Sequence, residues 1–169
     1  MVMTESTPIV VCDAGPIIHL DELNQLPLLL DFQSVHVTQT VINEVEKHRS
    51  IKLSELSITI VSDPIIDPQL LALTKTFCLQ TGEISALSYA RTQNQVIFLT
   101  DDASARLVAA QLNLPVHGTI GILLRAVRTQ LKTVHEIKAC LESIPHRSTL
   151  HIKSSLLHHV IEELEKYPQ

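Results

Sequence analysis

Short apolar runs that alternate with longer segments of helical spacing constrain the fold of this chain more than any other feature. The first run, 8–12, has no polar interruption, which is typical of a strand buried on both faces of a sheet. Further candidate strands lie at 35–37, 56–61, 96–99 and 115–116. Because helical segments separate the strands, the sequence predicts an α/β domain with a mainly parallel sheet.

The helical segments are expected from residue 16 onward and at 40–49, 69–80, 83–92, 103–112, 119–130, 134–143 and 154–166. The pair Thr81-Gly82 is expected to end one helix before the next begins, and 144–152 is expected to be a loop. These boundaries predict a single domain over residues 1–169, in which 146–169 form a C-terminal helical appendage.

Composition argues against several functional classes. No apolar run approaches the roughly 18 residues of a membrane span, and residues 1–6 show no secretory signal. The three cysteines, Cys12, Cys78 and Cys140, form no disulfide framework, which predicts a cytoplasmic protein with no membrane partner. The net charge of −5 argues against a protein that coats nucleic acid, and the aromatic content of 3% argues against a base-stacking platform.

Carboxylates follow the two most apolar strands. Asp13 comes directly after the first strand, and Asp101 and Asp102 follow the strand at 96–99. Because open parallel sheets bind ligands at the carboxyl ends of their strands, these acids are expected at one edge of the sheet. The alternative is that Asp13 and Asp102 cap the helices that follow them.

Two glutamates lie on inward stripes of predicted helices. Glu44 shares a stripe with Val41 and Val45, and Glu83 begins a stripe that continues through Ala86. An ionised carboxylate on an inward face is costly unless it is paired or binds a metal. The alternative is a glutamate near a helix end that reaches solvent or stabilises the helix dipole.

Acids that converge on one point raise each other's pKa values, and a hard divalent cation removes the repulsion. Ligands that are all oxygen suit Mg²⁺ or Mn²⁺ rather than zinc or copper. The nine histidines include no HxxxH pair and do not indicate zinc. The sequence therefore predicts a Mg²⁺ or Mn²⁺ site made by Asp13, Glu44, Glu83 and one of Asp101 and Asp102.

The order of these motifs resembles that of the PIN-domain nucleases. The resemblance runs from about Ile9 to Leu164, and its four motifs are Val10–Leu20, Val41–Val45, Gly82–Leu87 and Leu99–Arg106. A fifth segment, Leu114–Leu124, is similar to a prokaryotic subgroup of stand-alone PIN proteins. That subgroup is related to the VapC-type toxins of toxin–antitoxin pairs.

The resemblance implies a Rossmann-like three-layer α/β/α sandwich with a mainly parallel, five-stranded sheet. It implies a Mg²⁺- or Mn²⁺-dependent endoribonuclease that works on RNA as a homodimer or higher homo-oligomer, with a small antitoxin protein as a further partner. The catalytic and metal-binding residues that it implies are Asp13, Glu44, Glu83, Asp101 and Asp102. The chain departs from the family where Ala14 and Gly15 follow the first acid, because Ser or Thr often stands there.

Basic residues are expected to hold the RNA backbone through its phosphates. Arg125, Arg128 and Lys132 form a basic stripe beside the apolar stripe of the helix at 119–130, and Arg106 lies one turn beyond Asp102. A second basic group consists of Lys47, Arg49 and Lys52. The alternative for each group is a solvated helix face.

Two other functional classes remain open from the sequence. In a phosphatase or receiver domain Asp13 would be a nucleophile or paired acid, but Gly15 stands where the phosphatase pattern needs a second acid. A receiver domain needs its paired acids early, whereas the pair Asp101-Asp102 comes late. The other class is a catalytically inactive PIN fold that binds nucleic acid or protein, which Ala14 and Gly15 favour.

Overall fold

A parallel sheet of five strands forms the centre of the protein, whose computed structural model describes residues 8–51, 53 and 56–167. The strands are β1 (Ile9–Cys12), β2 (Ser34–Thr38), β3 (Ile58–Val61), β4 (Val96–Leu99) and β5 (Val116–His117). Their order is β3-β2-β1-β4-β5, and every neighbouring pair is parallel. Helices flank the sheet, so the predicted three-layer α/β/α sandwich is confirmed.

The position of β1 explains its unbroken apolar sequence. It pairs with β2 on one side and β4 on the other, and Val10, Val11 and Cys12 have no exposed surface. By contrast β3 lies at an edge, where Ile60 is 53% exposed, and it begins two residues later than predicted. The strand order reverses between β1 and β4, which opens a crevice at their carboxyl ends.

Helices connect the strands and cover the sheet. Within the described residues they are α1 (Ala14–Glu22), α2 (Gln39–His48), α3 (Pro68–Thr76), α4 (Thr81–Thr92), α5 (Ala103–Gln111), α6 (Thr119–Arg128), α7 (Val134–Arg147) and α8 (Ser154–Leu164). A 3₁₀ helix, Leu26–Asp31, precedes β2. No helix in these parts of the chain is both long and apolar enough to cross a bilayer.

Two helix ends differ from the prediction by four residues. The first difference is at α3, which ends at Thr76, because Cys78 adopts a φ of 56°, outside the helical region. Gly82 does not break a helix but lies in the first turn of α4. The other difference is at α7, which continues through Pro145 to Arg147, because fully buried Ile144 holds its last turn against the core.

The C-terminal segment packs on the rest of the chain. Leu157 and Leu164 of α8 are buried, and α8 contacts α7. Between these helices, Ser148 Oγ and Thr149 N–H donate to Glu22 of α1 at 2.8 and 2.7 Å. The division into one domain with an appendage at 146–169 stays a prediction, and residues 168 and 169 lie outside the described part.

Candidate active site

Asp13 lies at the carboxyl end of the central strand and is 5% exposed. Its backbone N–H donates to Leu99 O at 2.9 Å, and the hydroxyl of Thr100 donates to Asp13 Oδ2 at 3.0 Å. Asp13 occupies the N-cap position of α1, but its side chain makes no capping hydrogen bond to the second or third residue of that helix. Helix capping therefore does not account for this buried carboxylate.

Glu83 and Glu44 lie close enough to Asp13 for their charges to act on its pKa. Burial is the main cause that raises this pKa to about 7, and the charges of Glu83 and Glu44 raise it as well. Hydrogen bonds from the Ala14 N–H and the Thr100 hydroxyl act in the opposite direction. The fold thus brings together three of the acids predicted from the sequence, taken from β1, α2 and α4.

Glu44 approaches the site through a gap left by glycine. Gly82 is buried in the first turn of α4, and a Cβ atom at this position would overlap Glu44 Oε2. The half-buried Glu44 carboxylate therefore lies against the start of α4, next to Glu83. In the pair Gly82-Glu83, the glycine leaves room for the Glu44 carboxylate, and the next residue is itself an acid.

We expect Gly82→Ala to weaken Mn²⁺ binding about 10-fold or more, because the new methyl group displaces the Glu44 carboxylate. The free energy of unfolding of this variant should stay unchanged or rise by up to about 1 kcal/mol. Ala is favoured over Gly in a helix, and the flexible Glu44 side chain can move away from the new methyl group. Isothermal calorimetry with Mn²⁺ and urea denaturation measure the two effects.

Gly15→Ala is the matched control for this variant. Gly15 is also the second residue of a helix, and a Cβ there would meet its nearest atoms, Asp101 Cβ and Oδ2, at an ordinary 3.7 Å. Equal Mn²⁺ affinities of the two alanine variants would show that the position of Glu44 does not matter to the site.

Glu83 has a structural role and a place in the acidic cluster at the same time. Its Oε2 accepts a hydrogen bond from the Gln80 N–H at 2.8 Å, as a glutamate in the first turn of a helix often does. Burial raises its pKa, the Gln80 N–H opposes this, and the charges of Asp102 and Glu44 raise it further. Glu83 therefore accepts a hydrogen bond at the start of α4 while the charges of Asp102 and Glu44 act on it.

The neighbouring acids Asp101 and Asp102 have different surroundings. Asp102 Oδ1 caps α5 by accepting from the Ala105 N–H at 2.7 Å, while its charge acts on Glu83. Asp101 accepts from the Thr119 N–H at 2.7 Å and the Thr119 hydroxyl at 2.6 Å, and it contacts His19 Nδ1 at 2.7 Å. The charge of Asp102 therefore acts on one of the acids near Asp13, whereas Asp101 links α1 and α6 to β4.

Asp63 helps to position the two glutamate helices. It follows β3, and its Oδ1 accepts from Ser85 Oγ of α4 at 2.5 Å and from the Thr40 N–H of α2 at 3.2 Å. Burial opposes its ionisation, but these hydrogen bonds outweigh burial and lower the pKa of Asp63. Because one ionised carboxylate contacts both helices, it fixes the helix that carries Glu44 against the helix that carries Glu83.

The acids fit a hard cation in their chemistry, although they do not form a closed ligand shell. Within residues 8–51, 53 and 56–167, no three acidic, His or Cys side chains converge closely enough to hold one metal ion. The acids near Asp13, Glu44 and Glu83, offer carboxylate oxygens, which Mg²⁺ and Mn²⁺ prefer. Mg²⁺ usually keeps several waters and needs only one or two direct carboxylates, so this open arrangement suits it.

Three of the predicted phosphate-binding residues, Arg125, Lys132 and Arg49, form ion pairs with acidic side chains. Arg125 donates to Asp31 at 2.8 Å and lies 5.2 Å above the Phe32 ring, and Lys132 pairs with Glu136 at 3.1 Å. In the second basic group, Arg49 pairs with Asp21 at 2.6 Å, Lys47 is exposed, and Lys52 lies outside the described residues.

Arg106 and Arg128 are the exposed members of the predicted set. Arg106 Nη1 donates to the Thr100 carbonyl at 3.2 Å, and neither arginine forms an ion pair within the described part of the chain. The charges of Arg106 and Arg128 both act on His117 at the end of β5. Among Arg106, Arg125, Arg128 and Lys132, these two cations are the ones that remain accessible to a phosphate.

Thr100 and Gly82 contribute to the site in ways that the sequence motifs alone do not reveal. The Thr-Asp-Asp motif contains Thr100, but its hydroxyl acts on an acid 87 residues away. Gly82 appears in the Gly-Glu motif as a helix breaker, whereas the fold uses it to admit Glu44. A hydroxyl or a glycine beside a motif acid is the only signal that could have indicated these roles.

A comparison with protein families assigns most of the chain to one family. A family model described as PIN domain matches residues 9–166. The matched range contains all five strands and all the acids described above. No curated protein sequence matches the chain significantly.

Proposed function

Because the chain belongs to the PIN-domain family, whose members are usually nucleases, we propose that it is a divalent-metal-dependent endoribonuclease that hydrolyses RNA phosphodiester bonds. The acidic group at the carboxyl end of β1 carries this proposal, since burial and neighbouring charges there raise the pKa of Asp13 to about 7. A buried carboxylate beside other carboxylates is stabilised when a cation binds, so the folded chain favours a positive ligand.

A bound Mg²⁺ or Mn²⁺ would lower the pKa of a water molecule and stabilise the charge of the reacting phosphate. Asp13 is the proposed direct ligand, with Glu44, Glu83 and Asp102 completing the site or orienting water. A hydrogen bond already orients one oxygen of three of these acids. The donor is Thr100 for Asp13, Gln80 for Glu83 and Ala105 for Asp102. The second oxygen of each carboxylate can bind a cation. Because the hydrogen bond already orients the carboxylate, binding costs little further side-chain entropy.

The accessible arginines would hold the RNA. Arg106 lies beside the site because the same residue, Thr100, contacts both its guanidinium and Asp13. Arg128 adds a second exposed cation near His117. Contacts of this kind fix the phosphate backbone without reading its sequence. We keep Arg125 and Lys132 as weaker candidates, since each would have to leave a carboxylate partner.

The direct test is cleavage of a panel of single-stranded RNAs by the purified protein. We expect cleavage with Mn²⁺ or Mg²⁺, loss of cleavage with a chelator, and recovery when the metal is restored. Glu44→Gln should reduce the rate at least about 10-fold, whereas Glu46→Gln, an exposed acid of the same helix, should not. Protein that cuts no RNA in the panel with either metal would contradict the proposal.

A binding module without catalysis is the second candidate function. Ala14 and Gly15 lack the hydroxyl that often follows the first acid in this family, and no three described ligands converge on one point. Such a module would retain RNA without cutting it. Glu44→Gln and the unchanged protein would then behave alike in the cleavage assay, while both bound RNA.

We further propose that the chain is the toxin of a VapC-type toxin–antitoxin pair, acting in the cytoplasm as a homodimer with a small antitoxin protein as partner. The segment Leu114–Leu124 supports the subgroup. Exposed apolar side chains near the β3 edge, Ile60 at 53% and Ile65 at 98%, support self-association. A small DNA-binding protein encoded beside this chain would support the toxin role.

A further inference from the structure

A groove with a volume of about 390 Å³ opens beside Asp101, and the C-terminal segment forms one of its walls. We name it the C-terminal groove. One wall comes from α6, and the other comes from α8 and the residues just before it. The apolar side chains that line it are Ile120, Leu124, Leu150, Ile152, Leu156 and Val160.

The described lining of the C-terminal groove includes one exposed cation, Arg106, although the chain as a whole carries a net charge of −5. Arg106, His117 and His151 line it. Burial lowers the pKa of His117, and the charges of Arg128, Arg106 and Arg125 lower it further, which favours the neutral form of the imidazole. Asp101, the acid in the described lining, has both oxygens engaged by Thr119 and also contacts His19.

The C-terminal groove is continuous with the acidic site. Arg106 Nη1 contacts the carbonyl of Thr100, and the hydroxyl of the same Thr100 contacts Asp13. Asp101 lines the groove, and the next residue, Asp102, acts on Glu83. A ligand that extends from the acids across Arg106 would therefore enter the groove.

We propose that the C-terminal groove binds one nucleotide of single-stranded RNA next to the phosphate that is cut, with a phosphate on Arg106 and the base between the apolar walls. This inference rests on the proposed function. Bases of single-stranded RNA stack on flat side chains that include histidine, and His117 and His151 supply such faces in a chain with few other aromatic residues. A neutral imidazole both donates and accepts hydrogen bonds, which suits the edge of a base.

The size and charge of the groove favour a nucleotide over a peptide. Its volume of about 390 Å³ lies in the range of small-molecule sites. An extended acidic peptide would match the charge but would leave the two imidazole faces without a planar ligand. Phe, Tyr and Trp are scarce in this chain and are not among the described residues that line the groove. His117 and His151 are therefore the planar side chains in its described lining on which a base could stack.

The absence of tryptophan from the sequence allows a direct test by fluorescence. Leu156→Trp places a reporter in the groove wall at a side chain that is 52% exposed, so the fold should tolerate it. Leu30→Trp is the matched control, since Leu30 is 51% exposed and lies in the 3₁₀ helix. Each protein is titrated with single-stranded hexauridylate in a chelating buffer, which prevents cleavage.

We expect hexauridylate to change the fluorescence of Leu156→Trp in a saturable way and to leave Leu30→Trp unchanged. Adding Arg106→Gln to Leu156→Trp should weaken the apparent affinity about 10-fold, because a charge-assisted contact to phosphate is lost. Circular dichroism checks that the double variant folds. A response of both reporters, or of neither, would overturn the inference.

Two further outcomes separate this inference from the proposed nuclease activity. Cleavage by the unchanged protein without any response of Leu156→Trp would overturn the groove assignment and leave the nuclease intact. A specific response without cleavage under any metal would support the groove and count against the nuclease. A response to decaglutamate in place of hexauridylate would identify an acidic peptide as the ligand and overturn the assignment to RNA.

Discussion

Asp13→Asn is expected to reduce metal-dependent RNA cleavage by at least ~100-fold and, at the same time, to stabilise the metal-free protein above pH 7. Cleavage falls because an anionic ligand is lost from the centre of the acidic group. Stability rises because the substitution removes a charge that is buried beside Glu83 and Glu44. Cleavage assays and urea denaturation in a chelating buffer measure the two effects.

The sign of the stability change follows from the pKa of Asp13. Burial raises this pKa in the folded chain to about 7, far above the value of 3.8 for a free aspartate. Between these values the folded protein holds a proton that the unfolded chain releases, so stability falls as the pH rises and stays lowered above pH 7. Ionised Asp13 therefore costs on the order of 3–4 kcal/mol at pH 8, and we expect Asn to recover ~1–4 kcal/mol there and almost nothing near pH 4.

Asp67→Asn is the matched control for this prediction. Asp67 is also at an N-cap position, but its side chain accepts from the Gln69 and Leu70 N–H groups and caps α3. Asn caps a helix about as well as Asp, so this variant should keep its cleavage rate and change little in stability. If Asp13→Asn behaves like Asp67→Asn in both assays, Asp13 is neither a metal ligand nor a destabilising buried charge.

Mn²⁺ affinity is expected to fall about 10-fold between pH 8 and pH 6, and about another 10-fold by pH 5. The reason is competition, since a carboxyl with a pKa of about 7 must release its proton before it can bind a cation. An ordinary carboxylate site would lose little affinity over this range, because its ligands stay ionised down to about pH 5.

Calorimetry at several pH values in two buffers of different ionisation enthalpy measures both the affinity and the number of protons released. We expect close to one proton released per bound Mn²⁺ at pH 6 and almost none at pH 8. An affinity that stays constant from pH 8 to pH 6, without proton release, would remove Asp13 as the protonated group and as the direct ligand.

Local sequence determined the sheet and the approximate position of the acids. The apolar run that became β1 needs burial on both faces, and only a central parallel strand provides it. Asp13 and Asp102 follow strands that a parallel sheet must align, so their place at one edge followed from strand type alone. The inward stripe of α2 likewise indicated Glu44, because helical spacing decides which side chains face the core.

The tertiary structure alone decided which groups meet. The separate surroundings of Asp101 and Asp102 depend on His19 and Thr119, which reach Asp101 from 82 and 18 residues away. Asp31 engages Arg125 from 94 residues away, and the C-terminal segment completes a groove beside Asp101. Hydrogen bonds and ion pairs form only between side chains a few ångströms apart, and no local pattern in a sequence specifies that distance for residues far apart in the chain.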